Sequence, residues 1–196
     1  VKTIIAHPAV NMITFTGSTE AGRMVDKQAA EYLKPSVLEL GGSDPYLVFE
    51  DAELTNAIEK CAQSRWLNSG QSCIAAKRMI VVDAIFDEFM TQFLTFARQY
   101  SFTNPSNRTT EGYFVGPMAR IDLRDQLAKQ VSDSIASGAQ CELGGYIPEA
   151  KGAYYPVTVL SNVSPCMPAF DQELFGPVAA IIRAKDDRHA IELANK

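Results

Sequence analysis

The chain has 196 residues, 46% hydrophobic and 21% charged, with a formal net charge of -5. That apolar share supports a folded core and excludes a disordered polymer. The acidic balance, with no basic cluster against it, speaks against a nucleic-acid or anionic-membrane partner. No apolar run reaches the length a bilayer span needs, and residues 1–8 lack the pattern of a secretory leader. The four cysteines, Cys61, Cys73, Cys141 and Cys166, are therefore expected as reduced thiols in a cytoplasmic protein. They form no C-x-x-C pair, and with only His7 and His189 beside them no metal site is expected.

In chain order, residues 11–16 form a β-branched and aromatic run that predicts a strand. Gly17-Ser18-Thr19 follows as a turn and helix cap. The spacing of Ala21, Met24, Val25, Ala29 and Tyr32 predicts a helix over 19–33, which Pro35 ends. A strand, a Gly/Ser turn and a helix N-terminus can bind an anion through converging N–H groups. The spacing from Gly17 to Gly22 is not the dinucleotide fingerprint, and an ordinary βα turn is an equal reading. Residues 36–40 predict a second strand, closed by Gly41 and Gly42. It carries Glu39 between two leucines. A buried carboxylate is rare unless paired or functional; the alternative is a carboxylate facing solvent from an edge strand.

Residues 45–49 predict a third strand. Asp51 is the expected N-cap of a helix whose face is Leu54, Ala57, Ile58, Cys61, Ala62 and Arg65. That helix runs out near Asn68-Ser69-Gly70 and delivers Cys73. Ile74-Ala75-Ala76 is compatible with a helical turn just after it, where unpaired N–H groups would stabilise the thiolate. The competing reading is a small buried hydrophobe. Residues 77–82 predict a strand, and Phe86, Phe89, Met90, Phe93, Leu94 and Ala97 mark a helix that faces a core. Residues 103–111 read as a polar surface loop. After Gly116-Pro117 comes a helix with Leu123, Leu127, Val131 and Ile135 inward and Gly138 just past its end. Strands are expected at 141–143, 155–160 and 178–183. An acidic, aromatic loop, 170–177, lies between the last two, and Asp187 begins a final helix. Strands alternating with helices predict an α/β fold, its sheet mostly parallel and covered by helices on both faces.

Four loops stand beside predicted strands: Phe15-Thr16-Gly17-Ser18, Leu38-Glu39-Leu40-Gly41-Gly42, Gly70-Gln71-Ser72-Cys73 and Glu173-Leu174-Phe175-Gly176-Pro177. Ligands of open α/β sheets sit at the carboxyl ends of strands. A cysteine, a carboxylate and a dinucleotide-type turn placed there suggest covalent catalysis on a carbonyl. In this order, with Glu39 34 residues before Cys73, the motifs resemble those of the aldehyde dehydrogenase superfamily along essentially the whole chain. Leu40-Gly41-Gly42-Ser43-Asp44-Pro45 and Gly116-Pro117-Met118-Ala119-Arg120 resemble its succinate-semialdehyde dehydrogenase-like branch. Ser43 stands where many members carry lysine.

The resemblance implies that residues 1–41 are the C-terminal edge of an NAD(P)-binding domain, its last strand-helix-strand. Residues 42–196 would be the catalytic domain, truncated at its C-terminus. Cys73 is then the nucleophile that forms a thiohemiacetal with a small-molecule aldehyde, succinate semialdehyde included, and a thioester once hydride has left to NAD or NADP. Its backbone N–H helps hold the oxyanion. Glu39 is the general base that activates water for deacylation, a task suited to a carboxylate in an apolar site. Gly17 and Ser18 lie near the cofactor, Glu173 binds the nicotinamide-side ribose and Phe175 packs by the nicotinamide. Trp66, Ser72 and Ile74 are substrate-adjacent. The intact enzyme is expected to be a homo-oligomer. Both chain ends fall inside apolar or helical patterns, so a piece of a longer protein is expected. The alternative function is then that of an isolated, non-catalytic fragment, inactive without its cofactor domain.

Overall fold

The computed structural model describes residues 1–104, 106 and 112–196, so most of the polar stretch 103–111 lies outside the described residues. The chain divides into two compact units, Val1–Gly42 and Ser43–Lys196. Among the described residues, no helix is long and apolar enough to cross a membrane.

The first unit contains α1 (Lys2–Ala6), β1 (Ile13–Thr16), α2 (Thr19–Glu31) and β2 (Ser36–Glu39). The two strands pair in parallel, with Ile13 opposite Ser36 and Thr16 opposite Glu39. Side chains alternate across a strand. Ile13 and Phe15 therefore pack on Ile5, Val25 and Ala29, while Thr14, Thr16, Val37 and Glu39 are exposed. Ser18 caps α2, its hydroxyl accepting from the Ala21 N–H at 3.2 Å. The helical stripe expected for α2 is buried at Val25 and Ala29 but exposed at Met24 and Tyr32. Ile5, on a short helix that the sequence did not suggest, closes this small core instead.

The second unit runs β3 (Pro45–Val48), α3 (Leu54–Trp66), β4 (Arg78–Val82), α4 (Asp83–Ala97), β5 (Tyr100–Phe102), β6 (Tyr113–Val115), α5 (Ile121–Ala136), β7 (Gln140–Leu143), β8 (Thr158–Ser161), α6 (Pro168–Asp171), β9 (Val178–Ala184) and α7 (Asp187–Ala194). Its main sheet has the order β3-β4-β9-β8-β7. All pairs are parallel except β7 with β8, which is antiparallel and shifts register between Cys141 and Leu143. The central strands are apolar on both faces because both faces are covered. Met79 and Val81 of β4 join Ile58 and Cys61 of α3 and Phe89 and Phe93 of α4. Ile80 and Val82 join Leu127 and Val131 of α5, Phe170 of α6 and Leu193 of α7. Each side chain buried as fully as Phe89 contributes about 1.5–3 kcal/mol.

Local expectations needed correction in four places. The N-cap of α3 is Glu53, which accepts from the Asn56 N–H at 2.7 Å. Asp51 instead lies in the preceding turn, closed by the Ala52 N–H on the Phe49 carbonyl. Near its end α5 buries Ser134 rather than Ile135; the Ser134 hydroxyl donates to the Gln130 carbonyl and accepts from the Ala169 N–H. The strand expected from residue 155 gains its ladder only at Thr158, although Tyr155 and Val157 are buried. The small parallel pair β5–β6 had no periodicity long enough to announce it.

Candidate active site

The Cys73 stretch leads into β4 and the Glu173 loop leads into β9, two neighbouring parallel strands. Both loops therefore lie at the amino ends of their strands. The expected carboxyl-end placement describes only Gly17 and Ser18, after β1, and Glu39, which ends β2.

Past α3 the chain makes a tight turn in which Asn68, Ser69 and Gly70 all take positive φ, 52°, 55° and 73°. For the two non-glycine residues this costs on the order of 1–3 kcal/mol each, and it persists only where the surroundings dictate it. They do so here. The Asn68 amide donates to the Gln71 carbonyl at 2.9 Å. The Ser69 hydroxyl donates to the Gly116 carbonyl and accepts from the Gly116 N–H. The Gln71 side-chain oxygen accepts from the Ala119 N–H at 2.8 Å. Gly70 is obligatory on contact as well as conformation, since a Cβ there would sit 2.1 Å from the Gly176 carbonyl oxygen.

Two buried cations complete the seat. Arg65, fully buried, donates through Nη2 to the carbonyls of Gly70 at 2.6 Å, Gly176 at 3.1 Å and Leu174 at 3.3 Å. Burial pulls its pKa down to about 10, against the opposing charge of Glu173. Lys77 is 1% exposed. Its Nζ donates to the Cys73 carbonyl at 2.5 Å and lies 3.1 Å from Oε1 of Glu173, whose side chain is 24% exposed. One ammonium thus serves the backbone of the thiol residue and the carboxylate of the other loop. Neither cation was singled out from the sequence. The available signal was charge inside an apolar pattern: Arg65 on the inner face of α3, Lys77 beside a strand buried throughout.

Cys73 itself is exposed, as is Ile74, while Ser72 is half-buried. A single turn, the Ala75 N–H on the Ser72 carbonyl at 3.3 Å, separates Cys73 from the approach to β4. No helix begins there, so the helix-terminus argument for the thiol fails. Cys61 by contrast is buried, and burial pushes its thiol up to about 12. Cys141 and Cys166 are exposed, and Cys141 directs its sulfur at the Leu143 and Gly144 carbonyls.

The remaining candidates divide. Phe175 is 39% exposed beside buried Leu174. Gly176 is fixed by packing, since a Cβ would meet Leu127 at 2.3 Å. Trp66 is packed into the core, its ring 5.4 Å from Phe93 and 4.6 Å from Tyr100, and burial gives it a packing role; the next residue, Leu67, is exposed. Gly17 donates its N–H to the Glu39 carbonyl at 3.0 Å, and a Cβ on it would meet the Phe15 ring at 2.6 Å. Glu39 is exposed at the end of β2, without the apolar enclosure that the flanking leucines suggested. Among the described residues, no group of His, Cys, Asp and Glu could hold a metal ion.

A sequence model of the aldehyde dehydrogenase family matches residues 1–196. The chain is 46% identical over 195 residues to succinate semialdehyde dehydrogenase (NAD(P)+) Sad of Escherichia coli strain K12, covering all of this chain and 42% of that protein. It is 42% identical to a succinate-semialdehyde dehydrogenase (NADP(+)) of Mycobacterium avium, with 41% of that protein covered. The crystal structure of lactaldehyde dehydrogenase from Escherichia coli superposes with a TM-score of 0.95 at 33% identity, over all of this chain and 40% of that one. The chain thus spans about two-fifths of the length of the relatives it matches. It belongs to the aldehyde dehydrogenase family.

Proposed function

We propose that the full-length protein carrying this sequence oxidises an aldehyde to the carboxylic acid with NAD or NADP, and that Cys73 is its nucleophile. The observation that carries this reading is the seat of Cys73: an exposed thiol on a strained, glycine-dependent turn that buried Arg65 and Lys77 fasten to the Glu173 loop. Strain maintained at such cost is a mark of a functional loop.

In this reading the Cys73 sulfur adds to the aldehyde carbon and gives a thiohemiacetal; oxidation leaves an acyl thioester on the same sulfur. Glu39 takes a proton from the water that releases the acid. The residues fit a dinucleotide. Ser18 opens a 13-residue helix, whose first-turn N–H groups suit a phosphate, except that of Ala21, which the Ser18 hydroxyl takes. The half-buried Glu173 carboxylate suits ribose hydroxyls, and the Phe175 ring offers an apolar face. Bound NAD(P)+ supplies the hydride acceptor. Ser72 and Ile74 flank the thiol and would touch substrate. The names of the curated relatives make succinate semialdehyde the first aldehyde to test.

The experiment is an assay of the full-length protein for NADH and NADPH formation with succinate semialdehyde and short aliphatic aldehydes. Cys73→Ala should lower turnover by about a thousandfold or more. Limiting alkylation should mark Cys73 well before Cys61, whose thiol is buried and neutral. Turnover that survives Cys73→Ala removes the nucleophile assignment.

A further inference from the structure

Sheet pairing does not join residue 73 to residue 173, because the β4–β9 ladder begins only at Arg78 opposite Ala180. The join is made by side chains, and the two cations make it differently. All three hydrogen-bond acceptors of Arg65 are main-chain carbonyls, so its hydrogen bonds tie both loops without any ionisable acceptor. Lys77 has one main-chain partner, the Cys73 carbonyl, and one ionisable side-chain partner, Glu173. An ammonium that is 1% exposed has almost no water to replace a lost partner. Its position therefore depends on Glu173, and the Cys73 carbonyl depends on its position. Glu173 itself is 24% exposed, so a ligand can reach the carboxylate that Lys77 holds from within.

We propose that Lys77 is a positioning residue that couples the Glu173 carboxylate to the backbone of Cys73, so that whatever engages Glu173 is transmitted to the thiol. The inference rests on the reading of Cys73 as nucleophile and Glu173 as a cofactor contact. It adds a route between them: a cofactor hydroxyl that draws on the carboxylate shifts the ammonium, and the ammonium resets the carbonyl of the reacting residue. A buried lysine with a merely structural role would stabilise the fold but leave thiol reactivity indifferent to Glu173.

The test measures the rate at which iodoacetamide alkylates Cys73 in the full-length protein, followed by peptide mass spectrometry, without cofactor and with saturating NAD+ or NADP+. Glu173→Gln removes the charge that holds Lys77 from a partly exposed position, and it should change the cofactor-free rate by about tenfold. Lys77→Met should change it similarly and should abolish the response to cofactor. The double variant should change it no more than either single variant, because both break one chain of contacts. A Glu173→Gln rate within about twofold of the parent overturns the proposal, and this arm decides alone if Lys77→Met does not fold. Additive effects in the double variant also overturn it. Because alkylation is read at the peptide and not through turnover, failure of the coupling is distinguishable from failure of the nucleophile assignment, which Cys73→Ala reports.

Discussion

Cys73 and Glu39, the two positions proposed for bond-making and proton transfer, are both exposed, yet they are held by different means. Around Cys73 the backbone is fixed from beneath by a buried lysine and, three residues earlier, by a buried arginine and a glycine-to-glycine contact. Glu39 ends a two-stranded parallel pair and is placed by its ladder and by the Gly17 N–H on its carbonyl. An exposed side chain takes its precision from whatever fixes its backbone. At the thiol that support is dense and charged, so folding and chemistry should fail together. At the carboxylate it is sparse and main-chain only, so chemistry should fail alone.

The contrast breaks most sharply at Gly70. Alanine there must take φ +73° and place a Cβ 2.1 Å from the Gly176 oxygen. Either the turn or the 173–177 loop has to move. Gly70→Ala is expected to cost at least about 3 kcal/mol, read as a lower urea midpoint of the full-length protein, with loss of preferential alkylation at Cys73. A midpoint close to that of the parent would mean that the two loops are not pressed together as described.

Arg65 gives a smaller effect of the same kind. Arg65→Met keeps much of the buried stem but leaves the carbonyls of Gly70, Leu174 and Gly176 without this donor. Buried acceptors left unsatisfied cost about 1–3 kcal/mol each, and removing the desolvated guanidinium offsets part of that. A net loss of about 2–3 kcal/mol is expected in the same unfolding measurement. A neutral or stabilising result would show that the carbonyls find other donors, and it would leave Lys77 as the main fastening of the thiol stretch.

How far these features were legible in the sequence differs between the two regions in the same way. The strands and helices of the second unit announced themselves because β4 and β9 are apolar apart from Arg78 and Arg183 and α4 repeats phenylalanine at helical spacing. The thiol stretch was legible as glycine next to cysteine, but the reason for the glycine was not. That reason is a contact with Gly176, 106 residues away, and local pattern carries no such information. The helix expected after Cys73 failed because three left-handed residues had already turned the chain and β4 began almost at once. The buried cations looked like ordinary charges because the acceptors of Arg65 are main-chain oxygens, which are the same in every sequence, and the side-chain partner of Lys77, Glu173, lies 96 residues away. For Glu39 the sequence left two readings open, apolar enclosure or a solvent-facing place on an edge strand. Flanking leucines suggested enclosure, whereas strand alternation puts its side chain on the exposed face with Thr16 and Val37.

Glu39 supplies the smallest expected change in stability and the cleanest separation of fold from chemistry. Its side chain is exposed and appears in no hydrogen bond or ion pair that the described residues form. Glu39→Gln keeps the shape and should leave the unfolding midpoint unchanged within about 0.5 kcal/mol. If Glu39 is the base for deacylation, the amide cannot take the proton from water, while addition of the Cys73 thiol and oxidation need no such base at that step. Rapid mixing of the full-length variant with aldehyde and cofactor should then give a burst of reduced cofactor of about one equivalent per active thiol. Steady turnover should follow, slower than that of the parent by about a hundredfold to ten-thousandfold. Activated acyl groups should accumulate on Cys73 and be visible as a mass increase on its peptide. An unchanged steady rate with no burst would take Glu39 out of the base role. A lowered midpoint together with lost activity would instead show that the strand end is held through its side chain after all, and the contrast with the thiol stretch would disappear.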